Sequence, residues 1–268
     1  PRYLNKIGKK YRGREWLEEA ILVNWMGYYF AKNNHDPAYY WDDYSYCKAF
    51  IEAISDLNQE RGSPSEARKV LWTNFNHYDK AKSWKGSIKS LTAIGALHGG
   101  EGSIDEGVKK RFDDFKLVYS LLRSDGKEGK GPRYRPKWWE KKSSKNKWKD
   151  VSKKLLLYAK ELIKSNDGSS EEIGEIVEVL WAKINFDSNM MGPEIEREEI
   201  ELKHHMLYAA IKTTEMMRRF CEEKDRPLDV EKAKLQVKIL RQNQGRLNSS
   251  FGLTWDSEKK ELVDIEEE

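Results

Sequence analysis

Apolar residues in this sequence recur at steps of three and four, not two, along most of its 268 positions. A helix gathers such positions onto one face, whereas a strand needs alternation, so the pattern restricts the chain to helix packing. Residues 15–31 set Trp16, Leu17, Ala20, Ile21, Trp25, Tyr28 and Tyr29 on one broad face. Residues 43–58 repeat the step with Tyr44, Cys47, Phe50, Ile51, Ile54 and Leu57, after a turn at Asn33-Asn34-His35-Asp36-Pro37. Ser63-Pro64-Ser65-Glu66 combines an N-cap, a first-turn proline and a glutamate at N3, which predicts a third helix carrying Val70, Leu71, Phe75 and Tyr78. Trp84, Ile88, Leu91 and Gly95 mark a fourth over 83–97, whose internal glycines each cost about 1 kcal/mol relative to Ala.

The second half continues in the same manner. Ser103-Ile104-Asp105-Glu106 is a capping box before Val108, Phe112, Phe115, Tyr119 and Leu122. Helical spacing resumes near Asp150 with Leu155, Leu156, Tyr158, Ala159, Leu162 and Ile163. Ser169 and Glu172 open a helix striped by Ile173, Ile176, Val177, Leu180, Trp181 and Ile184. The longest helix is expected over 194–222, and a last one over 228–243, started by Asp225-Arg226-Pro227 and stopped by Gly245. Phe251, Leu253 and Trp255 alternate with Gly252 and Thr254, which allows a short hairpin within 246–263.

Composition removes several classes. Two cysteines, Cys47 and Cys221, are too few for a disulfide scaffold and point to a reducing compartment, cytoplasmic or nuclear. The most apolar run, Ala20 to Ala31, is broken by Asn24 and Gly27 and falls short of the roughly 18 residues a membrane span needs. The basic residues 1–14 are followed by no compact apolar stretch of secretion-signal type. Mean hydropathy is −0.86, yet ten tryptophans and 12% aromatic residues supply core material that a disordered chain lacks.

Net charge is only +4, but it is unevenly placed. Residues 1–14 hold six cations (Arg2, Lys6, Lys9, Lys10, Arg12, Arg14) and no acid. Residues 127–154 hold twelve cations against three acids, and residues 256–268 hold seven acids against two lysines. The central cluster is the strongest functional signal. It contains Lys130, Arg133, Tyr134, Arg135, Lys137, Trp138, Trp139, Lys141, Lys142, Lys145, Lys147, Trp148 and Lys149. Lysine and arginine neutralise phosphates and release counterions, and interleaved Trp and Tyr offer flat faces to unpaired bases. The same composition suits an anionic membrane surface, or a solvated basic linker whose tryptophans fold back into the core. The N-terminal arm extends the cationic surface, or serves as a flexible arm or localisation signal.

Catalytic signatures are sparse. No CxxC or HExxH occurs, and adjacent His204 and His205 point about 100° apart on a helix, so neither a metal site nor a cofactor is expected. His35-Asp36 stands alone as a turn, and the glycine-rich His98-Gly99-Gly100-Glu101-Gly102 reads as a helix stop before a cap. Arg197 precedes His204 by six intervening residues. This spacing is similar to the Arg-x4–6-His motif of helical HEPN-type ribonucleases, with Glu198 in place of the usual Asn, His or Asp after the arginine. The resemblance implies an arginine that stabilises a phosphorane and a histidine that moves the 2′-OH proton.

The sequence thus predicts an all-α, multi-helix bundle of about eight to ten helices, mostly of roughly 12–20 residues. Ser124 to Pro136, with three glycines and two prolines, divides it into an N-terminal lobe over 1–123, a basic connection over 124–149, a C-terminal lobe over 150–250 and an acidic tail over 251–268. The expected function is non-enzymatic binding of nucleic acid, RNA before DNA. In composition the chain is similar to the basic helical matrix and nucleocapsid proteins of viruses, though no motif carries that likeness. Membrane association of matrix type and metal-independent RNA cleavage are the alternatives. Expected partners are RNA or another polyanion, an anionic membrane, and further copies of the chain through helical faces or the acidic tail.

Overall fold

The computed structural model describes residues 2–33, 42–80, 84–98, 105–124, 142–166, 168–189, 200–256 and 261–264. Within them lie ten helices: α1 (Arg2–Arg12), α2 (Leu17–Asn33), α3 (Asp42–Glu60), α4 (Pro64–Lys80), α5 (Trp84–Leu97), α6 (Glu106–Ser124), α7 (Lys142–Ser165), α8 (Ser170–Asn189), α9 (Ile200–Glu223) and α10 (Pro227–Ser250). An antiparallel hairpin follows, β1 (Leu253–Asp256) with β2 (Glu261–Asp264), in which Leu253 pairs with Asp264 and Asp256 with Glu261. The chain is an all-α multi-helix bundle, with one small β element among the described residues.

Three helices stop in the same way. At the end of α3, Gly62 takes φ 77° and its N–H reaches the Gln59 carbonyl, while the Ser63 N–H reaches Asn58 O, each at 2.9 Å. This paired closure satisfies two carbonyls that the helix end would otherwise leave bare. The same two bonds close α1 at Glu15 and α9 at Asp225, with φ 62° and 49° at residues that carry a Cβ. Starts follow capping chemistry. Ser169 Oγ accepts the Glu172 N–H at 3.2 Å at the head of α8. At α6 the cap is Asp105, whose Oδ1 accepts the Gly107 N–H at 2.5 Å; Ser103, the expected cap, lies outside the described residues.

Two expected boundaries move. Helix α10 runs on to Ser250, through Gly245, because that glycine is exposed with open space around it and the helix is held along α9 by Val230, Ala233 and Leu240. Tertiary support of this kind outweighs the propensity cost of one glycine. Helix α7 begins at Lys142, inside the stretch expected to be a connection.

Packing explains the rest. Helix α8 lies on α4, α7 and α9 and is buried nearly all round, from Ile173 to Phe186. The main core draws on α4 through α10 and surrounds Trp72, whose ring meets Phe75, Phe112, Phe115 and Tyr158 at 5.3, 6.3, 6.0 and 5.8 Å. A smaller core joins α1, α2 and α3 with Val70 of α4. The described buried residues thus form two clusters that divide near the start of α4, and α6 and α7, on either side of the expected connection, pack against each other and share one core.

The inner face of α2 differs from the expected aromatic stripe. Trp16 and Tyr29 are about half exposed, whereas Ala20, Ile21, Asn24, Tyr28 and Ala31 are buried. Small residues there allow close approach: a Cβ on Gly27 would collide with the Phe50 ring of α3, and one on Gly8 of α1 would meet Asn24 Nδ2 at 2.7 Å.

Charged groups are also buried, and they are paired. Arg68 Nε of α4 donates to both Glu175 oxygens of α8 at 2.9 Å. Arg123 of α6 donates to Asp79 of α4 at 2.7 Å, Tyr119 Oη donates to the same carboxylate at 2.6 Å, and the Arg123 guanidinium sits 3.8 Å over the Trp84 ring. Lys183 and Asp187 pair one turn apart on α8.

Candidate polyanion-binding surface

The surface is built around the first turns of α7. Lys142 and Lys145 stand on its opening turns, and its first turn contains no acid. Lys147 is half-buried, and Lys149 and Lys153 are exposed, neither with an ion-pair partner among the described residues. Lys154, one position on, is engaged by Asp114 of α6 at 3.2 Å.

Trp148 does not belong to the exposed set. It is 4% exposed and lies in the main core with Val151, Leu155, Tyr158 and Leu162. Its position explains this, since 148, 151, 155, 158 and 162 step by three and four along one face of α7. Asp187 of α8 lies nearby, its carboxyl pushed up by burial and held back first by Lys183, with smaller contributions from Ser152 and Trp148. The sequence reading of Trp148 as a stacking platform is corrected: it is an anchor that fixes the start of α7 on α8, with Lys147 and Lys149 on either side. Lys130, Arg133, Tyr134, Arg135, Lys137, Trp138, Trp139 and Lys141 lie outside the described residues, and the helix entered from them is the part of the cluster whose fold is described.

The N-terminal cations stand on a helix, not on a free arm. In α1, Lys6, Lys9 and Lys10 are exposed, while Leu4 and Tyr11 pack on the smaller core. Arg12 is committed to Glu60 of α3, and Arg14 lies 5.4 Å over the Trp16 ring. The apolar side of α1 is thus occupied by protein. Helix α1 packs on α2, whereas α7 packs on α6 and α8.

Of the Arg197–His204 pair, the structure describes only the histidine, and Arg197 lies outside the described residues. His204 is 2% exposed on α9, and burial with neighbouring His205 lowers its pKa to about 4. A histidine so enclosed does not reach the 2′-oxygen of a large substrate. Among the described residues, no three His, Cys, Asp or Glu side chains are grouped to hold a metal ion, and no helix is long and apolar enough to cross a membrane. Comparison with protein-family models, curated proteins and solved structures finds no match to this chain.

Proposed function

We propose that this chain is a non-enzymatic RNA-binding protein that holds single strands along the basic, aromatic stretch leading into α7. The observation that carries the reading is the charge at the head of α7, where Lys142, Lys145 and Lys147 stand with no acid in the first turn. A helix N-terminus is the positive end of the backbone dipole. A cation there costs roughly 0.3–1 kcal/mol at low ionic strength, and an anion gains as much. A helix that opens on lysines therefore profits from an anionic partner, and a polyphosphate supplies one while releasing its counterions.

Three further features support RNA. Tyr134, Trp138 and Trp139 immediately precede this helix, and base–aromatic stacking is worth roughly 1–3 kcal/mol per base. No recognition-helix motif for duplex DNA is present in the sequence. Lys6, Lys9 and Lys10 are further exposed cations, on α1, and cations on more than one helix suit a long strand better than a small ligand.

The test is fluorescence anisotropy with a labelled oligouridylate, comparing the wild type with a variant in which Arg133, Arg135, Lys137, Lys142, Lys145 and Lys149 are changed to Glu. Binding should weaken on the order of a hundredfold or more in the variant at low salt. Equal binding by both proteins overturns the assignment of the surface. Binding of phosphatidylserine vesicles without binding of RNA replaces RNA by an anionic membrane as the partner.

A further inference from the structure

Helices α7 and α9 both pack on α8 and leave between them a solvent-open groove of about 430 Å³. Its floor is apolar, made by Ile163 of α7 with Met216 and Phe220 of α9 at the edge of the main core. Cations stand on both walls: Lys160 on α7, Lys212 and Arg219 on α9. Lys160 and Arg219 have no ion-pair partner among the described residues. The acid Glu215 is already held by Arg241 of α10 at 2.9 Å and approached by Lys212 at 3.8 Å, which leaves Glu223 as the groove's uncompensated acid.

We propose that this groove docks an acidic amphipathic helix from a partner protein. The dimensions favour a helix. From Lys212 to Glu223 the α9 wall runs about 16 Å, the length of three helical turns, which accommodates anchors at i, i+3 or i+4, and i+7. Methionine in the floor adapts to such anchors. The charge layout selects acids spread along the occupant. Lys212 and Arg219 are two turns apart, about 10 Å, and Lys160 is on the opposite wall. One carboxylate on a single-headed amphiphile reaches one of these cations, whereas glutamates along a helix reach all three. A nucleic acid fits less well. Phe220 is only 5% exposed, so the floor offers a base no aromatic face, and a strand charged at every nucleotide must pass Glu223, where a peptide can place a neutral residue. This surface shares no residue with the one proposed for RNA.

The experiment titrates the full chain into a fluorescein-labelled fifteen-residue helical peptide with leucines on one face and glutamates on the other. Saturable binding is expected, weakened by about tenfold or more when Lys160, Lys212 and Arg219 are all changed to Glu. These side chains are exposed, so the variant should keep the wild-type unfolding midpoint and the wild-type affinity for oligouridylate. A leucine–lysine peptide of the same pattern should not bind. Unchanged peptide affinity in the triple variant, or no saturable binding by the wild type, overturns the proposal. So does binding of laurate or oligouridylate that the triple variant abolishes while the peptide fails to bind.

Discussion

His98 should make the protein acid-sensitive in a way that one substitution removes. It follows α5, is 1% exposed, and packs against Phe112 with ring centroids 4.8 Å apart. Its Nε2 lies 3.2 Å from Tyr158 Oη, and its Nδ1 has no partner among the described residues. Burial, with the charges of Arg68 and Lys109, lowers its pKa from 6.5 to about 3. Between those values the unfolded chain binds a proton that the folded chain refuses. Stability contributed here is complete above 6.5 and is lost as pH falls through that window. The loss is about 2 kcal/mol at about pH 5 and near zero at about pH 7.5. Glu175, Glu178 and Asp187 act with the opposite sign, because burial raises their pKa values and the folded state then binds the extra proton. The informative quantity is therefore the difference between wild type and His98→Gln, measured by urea unfolding. At about pH 7.5 the variant should be less stable by roughly 1–2 kcal/mol, through lost ring packing and an altered contact to Tyr158. At about pH 5 the gap should close or reverse. A gap of the same size at both pH values refutes the reasoning that His98 stays neutral in the fold.

Other substitutions test the packing account. Arg68→Met leaves Glu175 buried without its partner and should cost about 3–5 kcal/mol in urea unfolding, most of it recovered in Arg68→Met/Glu175→Leu. Gly27→Ala drives a methyl group into the Phe50 ring; it should destabilise by roughly 1–3 kcal/mol although alanine is the better helix former, and Phe50→Leu should relieve part of the loss. Gly245→Ala should do the reverse, raising stability by about 1 kcal/mol in a thermal melt, since α10 passes through an exposed position with open space for the methyl.

Much of this architecture is legible in the sequence because apolar spacing dictates which faces must be buried. The stripe of α8 and the capping of its first turn by Ser169 appear as the spacing requires. The helix stops are legible only in part. Gly62 is the residue type that takes a left-handed backbone freely, but Glu15 and Asp225 adopt the same backbone with a Cβ in place and leave no such mark. The inner face of α2 is hidden for a related reason: close helix approach selects Gly27, Ala20 and Ala31, which carry little hydrophobic signal, and turns Tyr29 outward. Which helices share a core is not written in glycine and proline: 126–136 lies outside the described residues, and the helices on either side of it, α6 and α7, pack together. At the surface, Trp148 had a readable signal, the three–four spacing to Val151 and Leu155, that its lysine-rich surroundings obscured. The groove between α7 and α9 had none, since its lining comes from residues about fifty positions apart.

The central claim is that the cations at and before α7 bind a phosphate backbone, and its most direct test is the salt dependence of oligouridylate binding. For single strands the logarithm of affinity falls with the logarithm of salt by about 0.7 for each phosphate neutralised. The wild type should show a steep dependence that becomes shallower by about four in slope when Arg133, Arg135, Lys137, Lys142, Lys145 and Lys149 are changed to Glu. Equal slopes in the two proteins, or no wild-type binding at low salt, would contradict it.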